Sequence, residues 1–277
     1  MDDEEPRSRS ARSAAERALV RIAHHYGAEP EFVVLGGLVP DLLCKRTKLT
    51  HAGTTDVDVQ VDLEIACGAV NTTRLEYALR NAEFVPDNDR VWRWVAEPGA
   101  ARAIVKFELL ADLQDKPAGS EIHFDSCEKL GAANLRGTGF AARDVVVRDM
   151  TAKIGGVRYT VGVKVTGLAG FLLAKTAAAY SRRKPKDWYD IAFVLLHNDA
   201  GGPPAAAAAV KAQFSADLAL VRTALEDLAA NFANAGAQGP QAYISQMLVD
   251  HPDLDRATLA ADAVVAVGEF CDALAAG

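Results

Sequence analysis

The chain has 277 residues, half of them hydrophobic, which suffices for one large domain or two modest ones with their own cores. Its formal net charge of -7 argues against a protein that coats nucleic acid non-specifically, while leaving room for a local basic patch. No apolar run approaches the roughly 20 residues that cross a bilayer, and MDDEEPRSRSARS lacks the apolar segment of a secretory signal. The expectation is a cytoplasmic protein with no membrane partner. Cys44, Cys67, Cys127 and Cys271 form no C-x-x-C pair and read as buried or idle thiols.

In chain order, residues 1–12 are polar and read as a flexible tail. From Ser13 to Tyr26 the apolar positions Ala14, Ala18, Leu19, Ile22 and Ala23 recur at helical spacing. Glu31 to Leu35 is a short strand closed by Gly36-Gly37, and Leu38 to Lys45 is helical. The loop to Thr55 leads into Asp56–Leu63, where acidic or polar residues alternate strictly with apolar ones. Thr72 to Ala82 reads as a helix. Strands follow around Val91–Val95 and over Arg102–Leu113, Arg143–Arg148 and Val157–Val165, while the stretch from Asp112 to Gly139 is turn-rich. Beyond Val165 the pattern is helical throughout: 168–180, 187–197, 205–214, 217–232, 241–249 and 258–275. This predicts an α+β protein: a tail (1–12), an α/β core with a mixed sheet (13–165), and a helical domain completing a cleft (166–277).

The chemistry-bearing pattern is a Gly-Gly turn, a helix, a polar loop and then TTDVDV. On a strand Asp56 and Asp58 share a face, where two carboxylates repel unless a cation sits between them. Mg²⁺ or Mn²⁺ suits such hard oxygen ligands together with substrate phosphates. Gly36 and Gly37 let backbone N–H groups approach phosphate oxygens at the start of a helix. Thr55, just before the acids, either binds a phosphate or merely starts the strand. His51 reads as an exposed loop histidine, with substrate contact as the alternative. Trp92 and Trp94 read as core or cleft wall. Arg182, Arg183, Lys184 and Lys186 form a basic cluster suited to a phosphate backbone.

Gly-Gly closing a strand, followed by Thr-x-Asp-Val-Asp on the next, resembles the signature of the DNA polymerase β-like nucleotidyltransferase superfamily. In that superfamily a third acid on a neighbouring strand completes a two-metal site. The matching position is Glu108, with Asp112 as the fallback at the same alternation parity. A second segment, Leu172 to Lys175 followed by Arg182, Arg183 and Lys186-Asp187-Trp188-Tyr189-Asp190, resembles the AbiEii/AbiGii-type branch that includes the MenA-type toxins. The resemblance implies that Lys175 contacts nucleotide phosphates and that Asp190, with Asp187, shapes the site; a first-turn capping role for Asp187 is the structural alternative.

It further implies transfer of NMP from an NTP to an acceptor hydroxyl on RNA, such as a tRNA 3′ end, or on a protein. The chain would then be the toxin of a type IV toxin–antitoxin pair with a cognate antitoxin. The alternatives are a nucleotidyltransferase for small aminoglycoside-like acceptors and a catalytically silent binding protein of the same fold.

Overall fold

The computed structural model describes residues 9–27, 30–52, 56–60, 69–96 and 104–276, the side chains of 9–11, 56–60 and 69–71 excepted. Thr55 and Cys67 lie outside the described residues. The chain divides into two compact units, one of residues 1–38 and 53–166, the other of 39–52 and 167–277.

The first unit opens with α1 (Arg9–Tyr26). The helix begins four residues earlier than expected, taking in residues 9–12 of the expected tail. Ala14, Ala15, Ala18, Leu19, Ile22, Ala23 and Tyr26 form its buried stripe. It stops at Gly27, whose φ of +90° suits the left-handed residue that ends a helix. Strand β1 (Val33–Leu35) runs into a 3-10 turn at Gly36–Leu38. A short helix, α2 (Pro40–Leu43), belongs to the other unit.

Next come β2 (Asp56–Gln60), α3 (Ala69–Asn81), β3 (Phe84–Pro86), β4 (Arg93–Ala96) and β5 (Lys106–Ala111). The turn-rich stretch contains two short strands, β6 (Glu121–His123) and β7 (Gly131–Asn134), and a helix, α4 (Gly139–Arg143). A hairpin of β8 (Val145–Ile154) and β9 (Val157–Thr166) completes the unit. Its turn, Gly155-Gly156, has φ of +57° and +85°, the signs a two-residue type I′ connection requires.

Among the described residues the sheet order is β3-β4-β5-β2-β1-β9-β8, with β7 joined to β5 and β6 to β7. It is mixed: β2 runs parallel to β5 and antiparallel to β1, and β1 is parallel to β9. Alternation explains its inner face. Phe107 and Leu109 of β5 are fully buried beside Phe32 and Trp94, while Lys106 and Glu108 between them are half-buried.

The second unit is helical: α5 (Leu168–Arg182), α6 (Pro185–His197), α7 (Pro203–Phe214), α8 (Arg222–Asn231), α9 (Gln238–Asp250) and α10 (Arg256–Ala275). Residues 187 to 195 of α6 are all buried, so this helix is the unit's central element. Phe193, Phe214, Phe232, Tyr243 and Phe270 fill the core around it. The expected helix over 217–232 is a 3-10 stretch to Val221 before α8 begins. The segment 39–52, read as part of the core, packs here. Asp199 N–H donates to Leu43 O (2.9 Å), Arg46 N–H to Asp199 Oδ1 (2.9 Å), and Ala52 N–H to Tyr189 Oη (2.8 Å). These bonds join residues far apart in the chain, beyond what local pattern records.

Candidate functional site

In the first unit the antiparallel register of β1 and β2 sets Leu35 opposite Asp58. The Gly36-Gly37 turn therefore leaves β1 at the end where β2 begins. Both glycines are buried, and Gly36 has φ of +83°, a conformation that L side chains rarely adopt. Across β2, the parallel register sets Asp56 level with Lys106 and Asp58 level with Glu108. On the far side of β5, Glu108 is the cross-strand partner of Arg93.

Arg93 Nε donates to Glu108 Oε1 at 2.7 Å, and its Nη2 contacts the same oxygen. Glu108 Oε2 takes no hydrogen bond from the described residues. Both side chains are 18% exposed, so the ion pair is poorly screened and held in a fixed geometry. Asp112, the fallback acid, lies just past the end of β5. Its Oδ2 accepts from Gly137 N (2.9 Å) and Gly139 N (3.2 Å), which fixes the chain entering α4. That structural task leaves Glu108 as the acid level with β2.

Whether this set suits a divalent cation follows from its donors. Asp56 and Asp58 on β2 and Glu108 on β5 are residue types with hard oxygen donors, and among the described residues Glu108 Oε2 takes no hydrogen bond. Among the described residues no group of three or more His, Cys, Asp or Glu is arranged to hold a metal, a statement that does not include the Asp56 and Asp58 side chains. Trp94 is fully buried, with the Arg80 guanidinium 5.4 Å from its ring centroid, so it is core; Trp92 is half-buried.

The second unit holds a different arrangement, a buried ion network built by α5, α6 and the 39–52 segment. Lys175 Nζ lies 3.1 Å from Asp187 Oδ1 and 2.8 Å from Asp190 Oδ2. Arg182 grips Asp187 at both oxygens, Nε to Oδ2 and Nη2 to Oδ1, each at 2.6 Å. His51 Nε2 lies 2.9 Å from Asp190 Oδ1. Its ring is stacked on Tyr189 (4.8 Å, 27°) and meets the edge of Phe193 at 5.0 Å.

Asp187 and Asp190 are completely enclosed and Lys175 is 6% exposed. Burial works against the Lys175 charge, but the Asp190 and Asp187 carboxylates outweigh it and hold the ammonium above its ordinary range. Burial likewise works against ionised Asp187, yet Lys175 and Arg182 hold its carboxyl below the usual carboxylate range.

Asp187 stands in the first turn of α6, as expected, where its charge suits the helix dipole; the cap residue is Lys184, and the Asp187 carboxylate also pairs with Lys175 and Arg182. Two expectations change here. His51 is not an exposed loop histidine but 1% exposed, because Asp190 and two aromatic rings enclose it. The basic cluster is partly neutralised, with Arg182 on Asp187 and Arg183 on Asp227 (3.1 Å). Arg93 was missed altogether. The signal available for it was strand alternation, which could have paired it with an acid one strand away.

Gly36, Gly37, Asp56, Asp58 and Glu108 thus come together on neighbouring strands of the first unit. Lys175, Asp187 and Asp190 come together in the second. Comparison of the chain with protein-family models and with curated proteins finds no match.

Proposed function

We propose that the chain is a metal-dependent nucleotidyltransferase, moving NMP from an NTP to an acceptor hydroxyl on RNA, such as a tRNA 3′ end, or on a protein. The observation that carries this reading is the register: Glu108 is level with Asp58, and β2 starts where the Gly36-Gly37 turn leaves β1. Asp56, Asp58 and Glu108 would hold Mg²⁺ or Mn²⁺, which when bound supplies Lewis-acid neutralisation of phosphate charge.

The chain's own residues do the rest. Backbone N–H groups at Gly36 and Gly37 bind phosphate oxygens, and the missing side chains permit the close approach. Arg93 engages Glu108 at Oε1 and orients the carboxylate, so that Oε2 is the oxygen that would ligate. Thr55, which precedes Asp56 in the sequence, carries a hydroxyl suited to a phosphate oxygen. The acceptor oxygen forms a bond to the α-phosphorus while the bond to the β-phosphate bridging oxygen breaks. Pyrophosphate departs with that electron pair, and the hydroxyl proton passes to a site carboxylate.

Lys175 is assigned the positioning of Asp187 and Asp190 in the second unit, as its two ion pairs support. The phosphate contact that the resemblance implies requires Lys175 to exchange a carboxylate for a phosphate oxygen. With RNA as acceptor the chain would act as the toxin of a type IV pair, restrained by a cognate antitoxin.

The test is incubation with each α-labelled NTP, Mg²⁺ and total tRNA, beside an Asp58→Ala variant. Label on RNA with the parent alone supports the RNA acceptor, and label on the protein supports the protein acceptor. Binding of NTP without transfer to either moves the acceptor to a small molecule. Failure to bind any NTP with Mg²⁺ or Mn²⁺ sinks the reading.

A further inference from the structure

The cations of the β8–β9 hairpin form no ion pair with a described residue. Between Val145 and Thr166 stand Arg148, Lys153, Arg158 and Lys164 against the single acid Asp149, in a chain whose net charge is -7. Each strand has ten residues, a ribbon about 30 Å long. Only Lys164 and Val165 of β9 pair with β1, so most of the ribbon stands free of other strands among the described residues.

Its two faces differ. One carries the buried residues Met150 and Ala152, with Tyr159 against the His24 ring of α1 at 4.3 Å. Register partners share a face, so the other carries Val147 with Lys164, Asp149 with Gly162, Thr151 with Thr160, and Lys153 with Arg158. On that face Val147, Asp149, Thr151, Lys153, Arg158 and Thr160 are exposed and Lys164 is half-buried.

Lys153 and Arg158 are directly opposite, an arrangement of like charges that costs stability on an antiparallel pair. Neither they nor Lys164 makes an ion pair with a described residue. An anion arriving from outside would relieve that repulsion. The Thr151 and Thr160 hydroxyls, 2.8 Å apart between the cations, add donors suited to phosphate oxygens. The spacing is that of a line rather than a pocket: Lys153 and Arg158 lie near the turn, and Lys164 is about 20 Å along the strand.

We propose that this face of the β8–β9 ribbon docks the phosphate backbone of a nucleic-acid strand, with Lys153, Arg158 and Lys164 as its contacts. A linear polyanion fits a line of cations where a single phosphate would satisfy only one end. The docking needs neither the metal nor the nucleotide, so it stands or falls separately from the transferase reading.

The experiment titrates the full chain into a fluorescein-labelled single-stranded RNA of about 20 nucleotides, without NTP or divalent cation, and follows anisotropy from about 50 to 200 mM KCl. Lys153→Glu with Arg158→Glu is compared with Lys45→Glu plus Lys129→Glu, two exposed lysines elsewhere whose reversal changes net charge equally. The ribbon variant is expected to bind at least about tenfold more weakly, with a salt slope shallower by about 1.5, since each phosphate contact contributes roughly 0.7–0.9. The control pair should stay within about twofold.

Lys153→Glu alone converts the like pair into an opposite pair. It should melt at or above the parent temperature while still losing affinity, which separates docking from misfolding. Equal weakening by both double variants would overturn the proposal, as would no RNA binding by the parent at the lowest salt. Unchanged RNA affinity in the ribbon variant would overturn it too.

Discussion

Lys175 is a buried cation whose charge is balanced entirely by buried acids among the described residues. Its ammonium is shared by Asp187 and Asp190, both without solvent exposure. Removing one partner of such a pair leaves a carboxylate buried without compensation, a cost of roughly 3–5 kcal/mol. Lys175→Met is therefore expected to lower unfolding stability by about that amount in denaturant titrations. Lys175→Arg, which keeps the charge, should recover part of it. A Lys175→Met chain that unfolds at the parent's denaturant midpoint would show that the pairs contribute no net stability.

His197 sets a second residue-scale expectation. Burial, then the nearby His251 charge, lowers its pKa from 6.5 to about 4, and its ring nitrogen lies 3.2 Å from the Tyr243 hydroxyl. Between those two values the unfolded chain binds a proton that the folded chain does not. Stability is fully present above pH 6.5 and is lost as pH falls toward 4. The loss is up to about 3 kcal/mol, and His197→Gln should flatten that limb of the stability–pH curve.

At the scale of elements, close packing fixes the boundaries that sequence pattern leaves open. Helix α9 starts at Gln238, and a Cβ placed on Gly239 would lie 2.2 Å from Phe232 Cε2. Phe232 is 2% exposed and closely packed, so something must shift to admit the methyl group and Gly239→Ala should cost about 1–3 kcal/mol by calorimetry.

This constraint is invisible in the sequence, where residues 233–240 only separate the helices expected over 217–232 and 241–249. The same holds for β7, whose Gly131-Ala-Ala-Asn134 has no β-branched residue and is a strand only because β5 and β6 flank it. By contrast strands with alternation were legible: Asp56–Gln60 alternates throughout in sequence, and β5 alternates from Lys106 to Leu109 before Leu110 and Ala111 are buried as well. The helices of the second unit were legible within a few residues for a related reason: Gly-Pro punctuation and long apolar runs are local signals. His51 was not. Its environment is defined by Asp190, 139 positions away, and no local window contains both.

For the whole molecule the decisive question is what the acidic register costs when nothing shares its charge. Asp58 and Glu108 are level on adjacent parallel strands, and Asp56 lies two residues from Asp58. Like charges at such positions destabilise a sheet by about 0.2–1 kcal/mol, offset in part by Arg93 on Glu108 and by Lys106 level with Asp56. A chain built only for stability would neutralise one of them. Asp58→Asn does so, and in the presence of EDTA it should melt at or slightly above the parent temperature.

Adding Mg²⁺ and a non-hydrolysable NTP should then raise the parent's melting temperature, because a ligand that binds only the folded state stabilises it by RT ln(1 + [L]/Kd). At about a hundredfold excess over Kd that is about 2.7 kcal/mol. Asp58→Asn should gain little of this, and lose transfer activity by at least about a thousandfold while remaining folded. The crossing of the two curves, the variant higher without ligand and the parent higher with it, is the signature of carboxylates retained for a cation rather than for the fold. Parallel curves would mean that the acidic face of β2 is merely solvated.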